Sequence, residues 1–477
     1  MTQSLFAETF WKPFEYANGT VILLGICSFL FLRWISTRPR NYPPGPYGLP
    51  IVGYLPFLSK QPYLDLKQLS KKYGNVFSLR LGSQNVVILC DFLAVKEAMN
   101  KDAFLGRPPD TQFQPTPDFI SIVTINGRWW KEQRRFSMHV LRNLGFGKTK
   151  MEEHIKVSSI VTINGRWWKE QRRFSMHVLR NLGFGKTKME EHIKDNSTCL
   201  RGSEHINDCE VKQKSFKNLQ DTVIRLTSFV NNEITRHEES LEQNCNRDYI
   251  DPFLVEMKDR KQMKLITVFA DSMLNGNVQA LFGAGTGTVR TTTEWCLLTM
   301  AAYSDVQKLV QKEIDSVIGS ERSPSWADYK NLPYTQSVLF EVQRWQTIIP
   351  LNLLRYTTAD TSVQGYNIPK GTFVLANIWA VHHDHRYWKN PDVFFPEHFL
   401  SQDGTTLEKP EYFIPFSIGK RSCPGETLGV IEVFLYFTSI LQRFTVALPD
   451  GEKPNFDGTF ELTWDAKFHY LRISPRN

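Results

Sequence analysis

The sequence contains few cysteines and gives them no regular spacing. Seven are scattered over 477 residues, so neither a disulfide framework nor a four-thiolate zinc or iron–sulfur site is expected, and a reducing, cytosol-facing compartment is favoured. Zinc-finger spacings and aromatic-interleaved RNA-binding motifs are lacking as well, which argues against nucleic acid as a partner despite a net charge of +8. With 41% apolar and 13% aromatic residues, nothing indicates disorder.

Much of the positive charge comes from a segment that occurs twice. Residues 121–156 recur unchanged at 159–194, and each copy holds eight lysines and arginines against three glutamates. Two identical copies do not indicate a repeat fold, because structural repeats diverge and at least three are needed to bury a core. We favour a duplicated exon or a faulty gene model. The basic patch itself suits an acidic protein partner or lipid headgroups.

One apolar run is long enough to be considered as a membrane span. Tyr16–Leu32 is a stretch of 17 residues without charge, just enough to span a bilayer. Three arginines follow it by residue 40, which predicts that the chain after them is cytoplasmic. No small-residue cleavage site follows, and a Pro-Pro-Gly-Pro hinge stands at 43–46. We therefore predict a membrane anchor with a basic flank at 1–40 and a catalytic domain at 41–477.

Strand patterns are few. Val76–Leu81 and Val86–Leu89 flank a turn sequence and predict a hairpin. Further strands are predicted at 363–368 with 372–376, and at 460–464 with 468–473. Helical periodicity dominates the rest of the sequence.

A spaced set of small, aromatic and charged residues surrounds one cysteine, just before an apolar helix pattern: Phe416, Gly419, Arg421, Cys423 and Gly425. The proline after the cysteine is expected at the first helical position. A helix N-terminus would then lower the pKa of the cysteine thiol, as a thiolate facing ferric iron requires. The glycines would let the backbone approach a flat macrocycle, and the arginine would meet a propionate.

A second glycine-rich run lies inside a helical pattern at 283–288. Each of its three glycines costs about 1 kcal/mol relative to alanine in a helix. This cost predicts a local opening of the helix.

The spacing Phe-x-x-Gly-x-Arg-x-Cys-x-Gly at 416–425 resembles the signature of the cytochrome P-450 family, and more narrowly of its microsomal drug- and fatty-acid-oxidising group. Matches at 284–288, 341–344 and 396–399 extend the resemblance. It covers 1–156 and 215–477 but not the middle, where helices of the core and of the substrate lid are not recognisable. The resemblance implies a mainly α fold with a minor β-sheet, incomplete in the middle.

The resemblance also implies a set of site residues. Haem b is the expected cofactor, and Cys423 is assigned as the metal ligand that supplies the axial thiolate to the iron. Arg355, Trp130 and Arg134 are assigned as propionate contacts. Ala284 and Gly285 are assigned to the distal face, and Thr288 is assigned as the catalytic hydroxyl. The repeat duplicates two of these residues, as Trp168 and Arg172, and one haem cannot use both pairs. Members of the family have an acid before this threonine, whereas Gly287 stands here, so water would have to deliver protons.

The implied activity is a monooxygenase reaction on an apolar substrate. NADPH-cytochrome reductase, cytochrome b5 and the endoplasmic reticulum membrane are the implied partners. Two alternatives stay open: a hydroperoxide isomerase of the same family, which needs neither reductant nor distal acid, and a catalytically silent haem-binding or aberrant gene product.

Overall fold

The computed structural model describes residues 41–108, 119–144, 226–242 and 247–476, with isolated positions between 21 and 28. They form two compact units. The first takes in the described residues up to Phe104 together with Leu353–Asn377, and the second runs from Leu105 to Asn352 and resumes at Ile378.

Two sequence-based predictions fall outside this description. The second repeat copy, 159–194, lies wholly outside the described residues, and the anchor segment Tyr16–Leu32 lies mostly outside them. Within the ranges that are described, no helix is both long and apolar enough to cross a membrane. The anchor and the boundary at residue 40 stay predictions.

The first unit is built on a four-stranded sheet. The predicted hairpin is confirmed, since Val76–Leu81 pairs antiparallel with Gln84–Leu89. The latter strand also pairs in parallel with Phe373–Ala376, whose other neighbour in the sheet is Arg355–Tyr356. In chain order the elements are α1 (Pro62–Tyr73), β1 (Val76–Leu81), β2 (Gln84–Leu89), α2 (Phe92–Asn100), β3 (Arg355–Tyr356), β4 (Thr361–Val363), β5 (Tyr366–Ile368) and β6 (Phe373–Ala376).

The strand predicted at 363–368 is wrong in its bounds. The chain turns at Gln364 and Gly365, whose φ angles are 48° and 81°, and β4 and β5 form a hairpin around them. Two consecutive positive φ angles are what a tight two-residue hairpin turn requires.

The second unit is mainly helical, which confirms the predicted fold class. Four of its helices pack on one another: Asp271–Ala302, Ser304–Val317, Pro333–Gln346 and Glu426–Arg443. In chain order the elements are α3 (Gly127–Asn143), α4 (226–239), α5 (Ile250–Gln262), α6 (Asp271–Ala302), α7 (Ser304–Val317), α8 (Pro333–Gln346), α9 (Ile378–His382), α10 (Glu426–Arg443), β7 (Phe444–Ala447), β8 (Gly458–Phe460), β9 (Trp464–Ala466) and β10 (Arg472–Pro475).

The strand predicted at 460–464 is also wrong, because the chain turns between β8 and β9 there. The strand predicted at 468–473 is displaced: β10 pairs with β7, not with the preceding segment. In both cases the apolar residues were recognised, but short segments leave the register open.

Candidate active site

The loop around the signature cysteine, residues 414–425, is called the Cys423 loop. Its backbone folds on itself, because Cys423 N–H donates to the Phe416 carbonyl at 3.0 Å and Ser422 N–H donates to the Gly419 carbonyl at 3.0 Å. Gly419 has a φ of 79°, a left-handed conformation that favours glycine. The predicted helix start is wrong by two residues, since α10 begins at Glu426 and Gly425 is its N-cap. The cysteine thus precedes the helix by three positions.

The electrostatics of the thiol differ from the prediction. Burial of the sulfur raises the pKa of Cys423, although the residue as a whole is among the exposed ones. The Gly425 N–H, which hydrogen-bonds to the sulfur, and the positive charge of Arg134 act in the opposite direction, and Glu426 adds to the increase. Desolvation of the thiolate outweighs these donors, so the net direction is opposite to the one predicted from the helix N-terminus.

Two predicted residues of α3, Trp130 and Arg134, meet Arg421 of this loop. The guanidinium of Arg421 lies 4.2 Å from the centroid of the Trp130 ring, and that of Arg134 lies 5.8 Å from it. Arg134 Nη2 also donates to the Ser422 carbonyl at 2.9 Å. Arg421 Nη2 donates to the Ile125 carbonyl at 2.6 Å, so this arginine joins the start of α3 to the loop. Their contacts with haem propionates stay predictions.

The glycine-rich run lies in the middle of α6. The predicted local opening of the helix is wrong, because α6 is continuous from Asp271 to Ala302. What opens instead is the space beside the helix: residues 280–288 are partly or fully exposed, while 273–279 before them are buried. A Cβ built at Gly283 or at Gly287 would meet no atom within 4 Å.

The predicted catalytic hydroxyl belongs to this open stretch. Thr288 Oγ1 donates to the Ala284 carbonyl at 2.8 Å, one turn earlier in α6, and Gly285 is partly exposed between them. Helix α6 packs against α10, which begins after the Cys423 loop. Arg355 belongs to the first unit, where it is buried at the start of β3, and its role stays a prediction.

Glu341, Arg344, His382 and His398 form a closed polar group that we call the Glu341 cluster. Arg344 makes two bonds to the Glu341 carboxylate, at 2.6 and 2.8 Å, and both side chains are 0% exposed. Arg344 also donates to the carbonyls of His382 and Pro391 at 2.8 Å. Glu341 and Arg344, at i and i+3 of α8, are therefore fully buried and fully hydrogen-bonded.

His398 lies between two acceptors in this cluster. Its Nδ1 faces the Glu341 carboxylate at 3.1 Å, and its Nε2 faces the Lys389 carbonyl. Carboxylates and carbonyls only accept. Each ring nitrogen of His398 therefore faces an acceptor.

Sequence reasoning missed His382. Its Nε2 accepts from Ile414 N–H at 3.0 Å, and its Nδ1 lies 2.9 Å from the Thr347 hydroxyl. Burial lowers the pKa of His382, so the ring stays neutral. It links the Glu341 cluster to the start of the Cys423 loop. No sequence signal marks it, because its partners lie more than 30 positions away.

Another buried ionic group lies at the start of α5. His237 Nδ1 lies 2.7 Å from an Asp251 oxygen, and His237 Nε2 lies 3.3 Å from an Asp248 oxygen. Arg247 makes two bonds of 2.7 Å to Asp251. These three acidic and imidazole groups have a spacing that suits a metal ion, but the arginine already supplies a positive charge to Asp251.

Comparisons with known proteins agree with this architecture. The model of the family Cytochrome P450 matches residues 43–162 and 210–472. Cytochrome P450 2J5 of Mus musculus is 36% identical over 95% of both chains. Cytochrome P450 2J2 of Homo sapiens is 35% identical over 96% of this chain and 95% of its own, and Cytochrome P450 2U1 of Homo sapiens is 34% identical over 96% and 94%.

The fold and the cysteine-centred loop define a haem-thiolate enzyme. The chain belongs to the cytochrome P450 family, whose members are monooxygenases that carry haem with a cysteine thiolate as axial ligand. The family match also runs through the first repeat copy and omits 163–209, which holds nearly all of the second.

Proposed function

We propose that this chain is a membrane-anchored haem-thiolate monooxygenase that inserts one oxygen atom of O₂ into an apolar organic substrate. Cys423 would bind the iron, and Trp130, Arg134, Arg355 and Arg421 would hold the propionates. NADPH-cytochrome reductase would supply the electrons, with cytochrome b5 as a second donor. When bound, haem supplies the redox chemistry that activates dioxygen, and the thiolate's electron density favours O–O cleavage.

The observation that carries the proposal is the arrangement around one thiol. Cys423 has an N–H donor at its sulfur, supplied by Gly425, and two guanidinium groups share the Trp130 ring beside it. Such cations suit a group with carboxylates. The open stretch of α6 leaves room that the buried residues on either side of it do not. These residues therefore fit an iron-bearing, anionic and flat cofactor.

The open stretch of α6, residues 280–288, determines how protons would reach the site. The Thr288 hydroxyl gives its proton to the Ala284 carbonyl, so its oxygen faces outward as an acceptor for water. Gly287 offers no carboxylate beside it, so protons would reach Thr288 only through solvent. We expect turnover with reductase to be poorly coupled, meaning that much NADPH is consumed without product.

Gly287 also favours the second candidate, a hydroperoxide isomerase, because that reaction needs no reductant and no distal acid. Assays with NADPH and reductase, and separately with an organic hydroperoxide alone, distinguish the two. Product only from the hydroperoxide would overturn the monooxygenase proposal. Haem-bound protein that is inactive in both assays would instead favour the catalytically silent haem-binding product. Protein without bound haem would favour the aberrant gene product, an interpretation that the repeat at 159–194 supports.

Gly287→Glu tests the proton route. A carboxylate at this open position should raise the product formed per NADPH consumed. Gly283→Glu, equally open but one turn away, serves as the control and should give no such rise. An unchanged ratio in Gly287→Glu with haem still bound would show that protons arrive by another route.

The location is proposed from the sequence. The uncharged run Tyr16–Leu32 and the arginines after it support an anchor in the endoplasmic reticulum membrane with the catalytic domain in the cytosol. Protease added to sealed microsomes should digest the catalytic domain. Protection of that domain would contradict the orientation.

A further inference from the structure

A chain of buried polar side chains joins α3, α5 and α6. Asn277 in α6 is 0% exposed, and its Nδ2 donates to Gln133 Oε1 at 2.9 Å and to the Tyr249 hydroxyl at 3.1 Å. Its Oδ1 accepts from Ile122 N–H at 2.7 Å. The Tyr249 hydroxyl lies 2.8 Å from the Ser137 hydroxyl. Asn277 thus uses both of its amide hydrogens and its oxygen.

The direction of these bonds follows from one fixed donor. A backbone N–H cannot accept, so Ile122 requires the oxygen of Asn277 on its side. The amide nitrogen must then face Gln133 and Tyr249. Burial raises the pKa of Tyr249 to about 12, so the phenol keeps its proton, and its bond with Ser137 joins two hydroxyls, either of which can donate. The directions of the three bonds to Asn277 are fixed.

One partly exposed ion pair joins Glu132 of α3 to Arg260 of α5, and the buried contacts around the polar chain are apolar. Phe136 of α3 packs edge-on against Phe253 and Phe269, with ring centroids 5.6 and 4.9 Å apart, and Val140 joins the same buried cluster. Apolar packing is strong but not directional. It holds α3 close to α5 and α6 without fixing how far α3 slides along them.

The register of α3 matters because the positions next to Gln133 carry residues that contact the Cys423 loop. Gln133 precedes Arg134 in the chain, and Trp130 lies one turn earlier. Arg134 reaches the Ser422 carbonyl, next to Cys423. We propose that Asn277 is a positioning residue, which fixes α3 against α6 and thereby places Trp130 and Arg134 beside the Cys423 loop. This role rests on the proposed haem function.

The test uses holoenzyme and measures the rate at which haem is lost to an excess of apomyoglobin. Asn277→Leu keeps the side-chain size and removes the three bonds, and it should accelerate haem loss at least about tenfold, as the loss of a buried hydrogen bond implies. Gln133→Leu should act in the same direction. The double variant should lose haem no faster than Asn277→Leu alone, because the bond that Gln133→Leu breaks is one of the three already removed by Asn277→Leu.

The repeat offers a matched control. Gln171 is the counterpart of Gln133 in the second copy, and Gln171→Leu should leave the rate unchanged. Val140→Ala, in the apolar cluster of α3, should lower the free energy of unfolding without accelerating haem loss below the unfolding temperature. If Val140→Ala accelerates haem loss as much as Asn277→Leu, the role is merely structural and the proposal is overturned.

Two further outcomes are decisive. If Asn277→Leu does not accumulate as folded protein, Tyr249→Phe removes one hydroxyl from the same chain and should still accelerate haem loss, by about threefold or more. Haem loss at the wild-type rate in folded Asn277→Leu, or in Tyr249→Phe, overturns the proposal. Wild-type protein must first show a thiolate-type spectrum. If the proposed haem function is incorrect, the wild-type spectrum will show it. If only the role of Asn277 is incorrect, the wild-type spectrum will be of the thiolate type and the failure will appear in the haem-loss rates of the variants.

Discussion

The Cys423 loop and the Glu341 cluster lie in the same unit, and both place polar groups next to helices. In the cluster every strong donor meets an acceptor: Arg344 bonds Glu341 and three backbone carbonyls, and both side chains are 0% exposed. In the loop the cysteine is exposed as a residue, and its sulfur has one N–H donor. Polar groups whose hydrogen bonds are all made within the protein stabilise its fold. A polar group that is accessible beside a helix with several glycines is suited to binding a cofactor.

The largest effect is expected from opening the cluster. Glu341→Ala leaves the Arg344 charge buried without its carboxylate, and the free energy of unfolding should fall by about 3–5 kcal/mol. Denaturant unfolding measures it. Asp305→Ala breaks another i, i+3 pair, with Lys308, whose two side chains are 91% and 73% exposed, and should cause no measurable change. Equal losses in the two variants would show that burial does not set the difference.

The next effect concerns the loop. Trp130→Ala with Arg134→Ala removes the indole between two guanidinium groups and the bond to the Ser422 carbonyl, so haem loss should accelerate at least about a hundredfold. The matched change in the second copy, Trp168→Ala with Arg172→Ala, should leave haem retention nearly unchanged. The reverse result would show that the second copy supplies the haem contacts.

A smaller effect is expected at Asp248, a buried carboxylate that lies 3.3 Å from His237 Nε2. Its pKa is raised to about 7 by burial, against an unfolded value of 3.8. The folded protein therefore holds this proton more tightly, and the free energy of unfolding should fall as the pH rises from about 4 to about 7, by at most about 1.4 kcal/mol per unit.

Asp248→Asn should remove this part of the pH dependence. Asp259→Asn, at an exposed position of α5, should preserve it. Parallel stability curves for wild type and Asp248→Asn across this range would contradict the assignment.

Much of this arrangement could be predicted from sequence. The signature spacing located the Cys423 loop, and the period-2 pattern located the β1–β2 hairpin, because both depend on neighbours in the chain. The start of α10 was misplaced, since the proline favours a first helical position that the loop's own hydrogen bonds exclude. The pKa of Cys423 was misjudged because the helix end is a local feature, whereas burial depends on the whole fold.

Contacts between distant segments that no family pattern marks could not be predicted. His382 reaches Ile414, and Asn277 reaches Ile122, across 32 and 155 positions. An asparagine in a helix is most often a solvated residue, so neither its burial nor its three partners are visible in the pattern. The contact of His398 with Lys389 could not be predicted either, because the acceptor is a backbone carbonyl, which every residue has.

The central claim is that Cys423 is the thiolate ligand, and the spectrum of the ferrous carbon monoxide complex tests it most directly. Wild-type protein should show the red-shifted Soret band of a thiolate ligand, and Cys423→Ala should lose it. Cys296→Ala, at a fully buried cysteine of α6, should keep it. A full red-shifted band in Cys423→Ala would contradict the account.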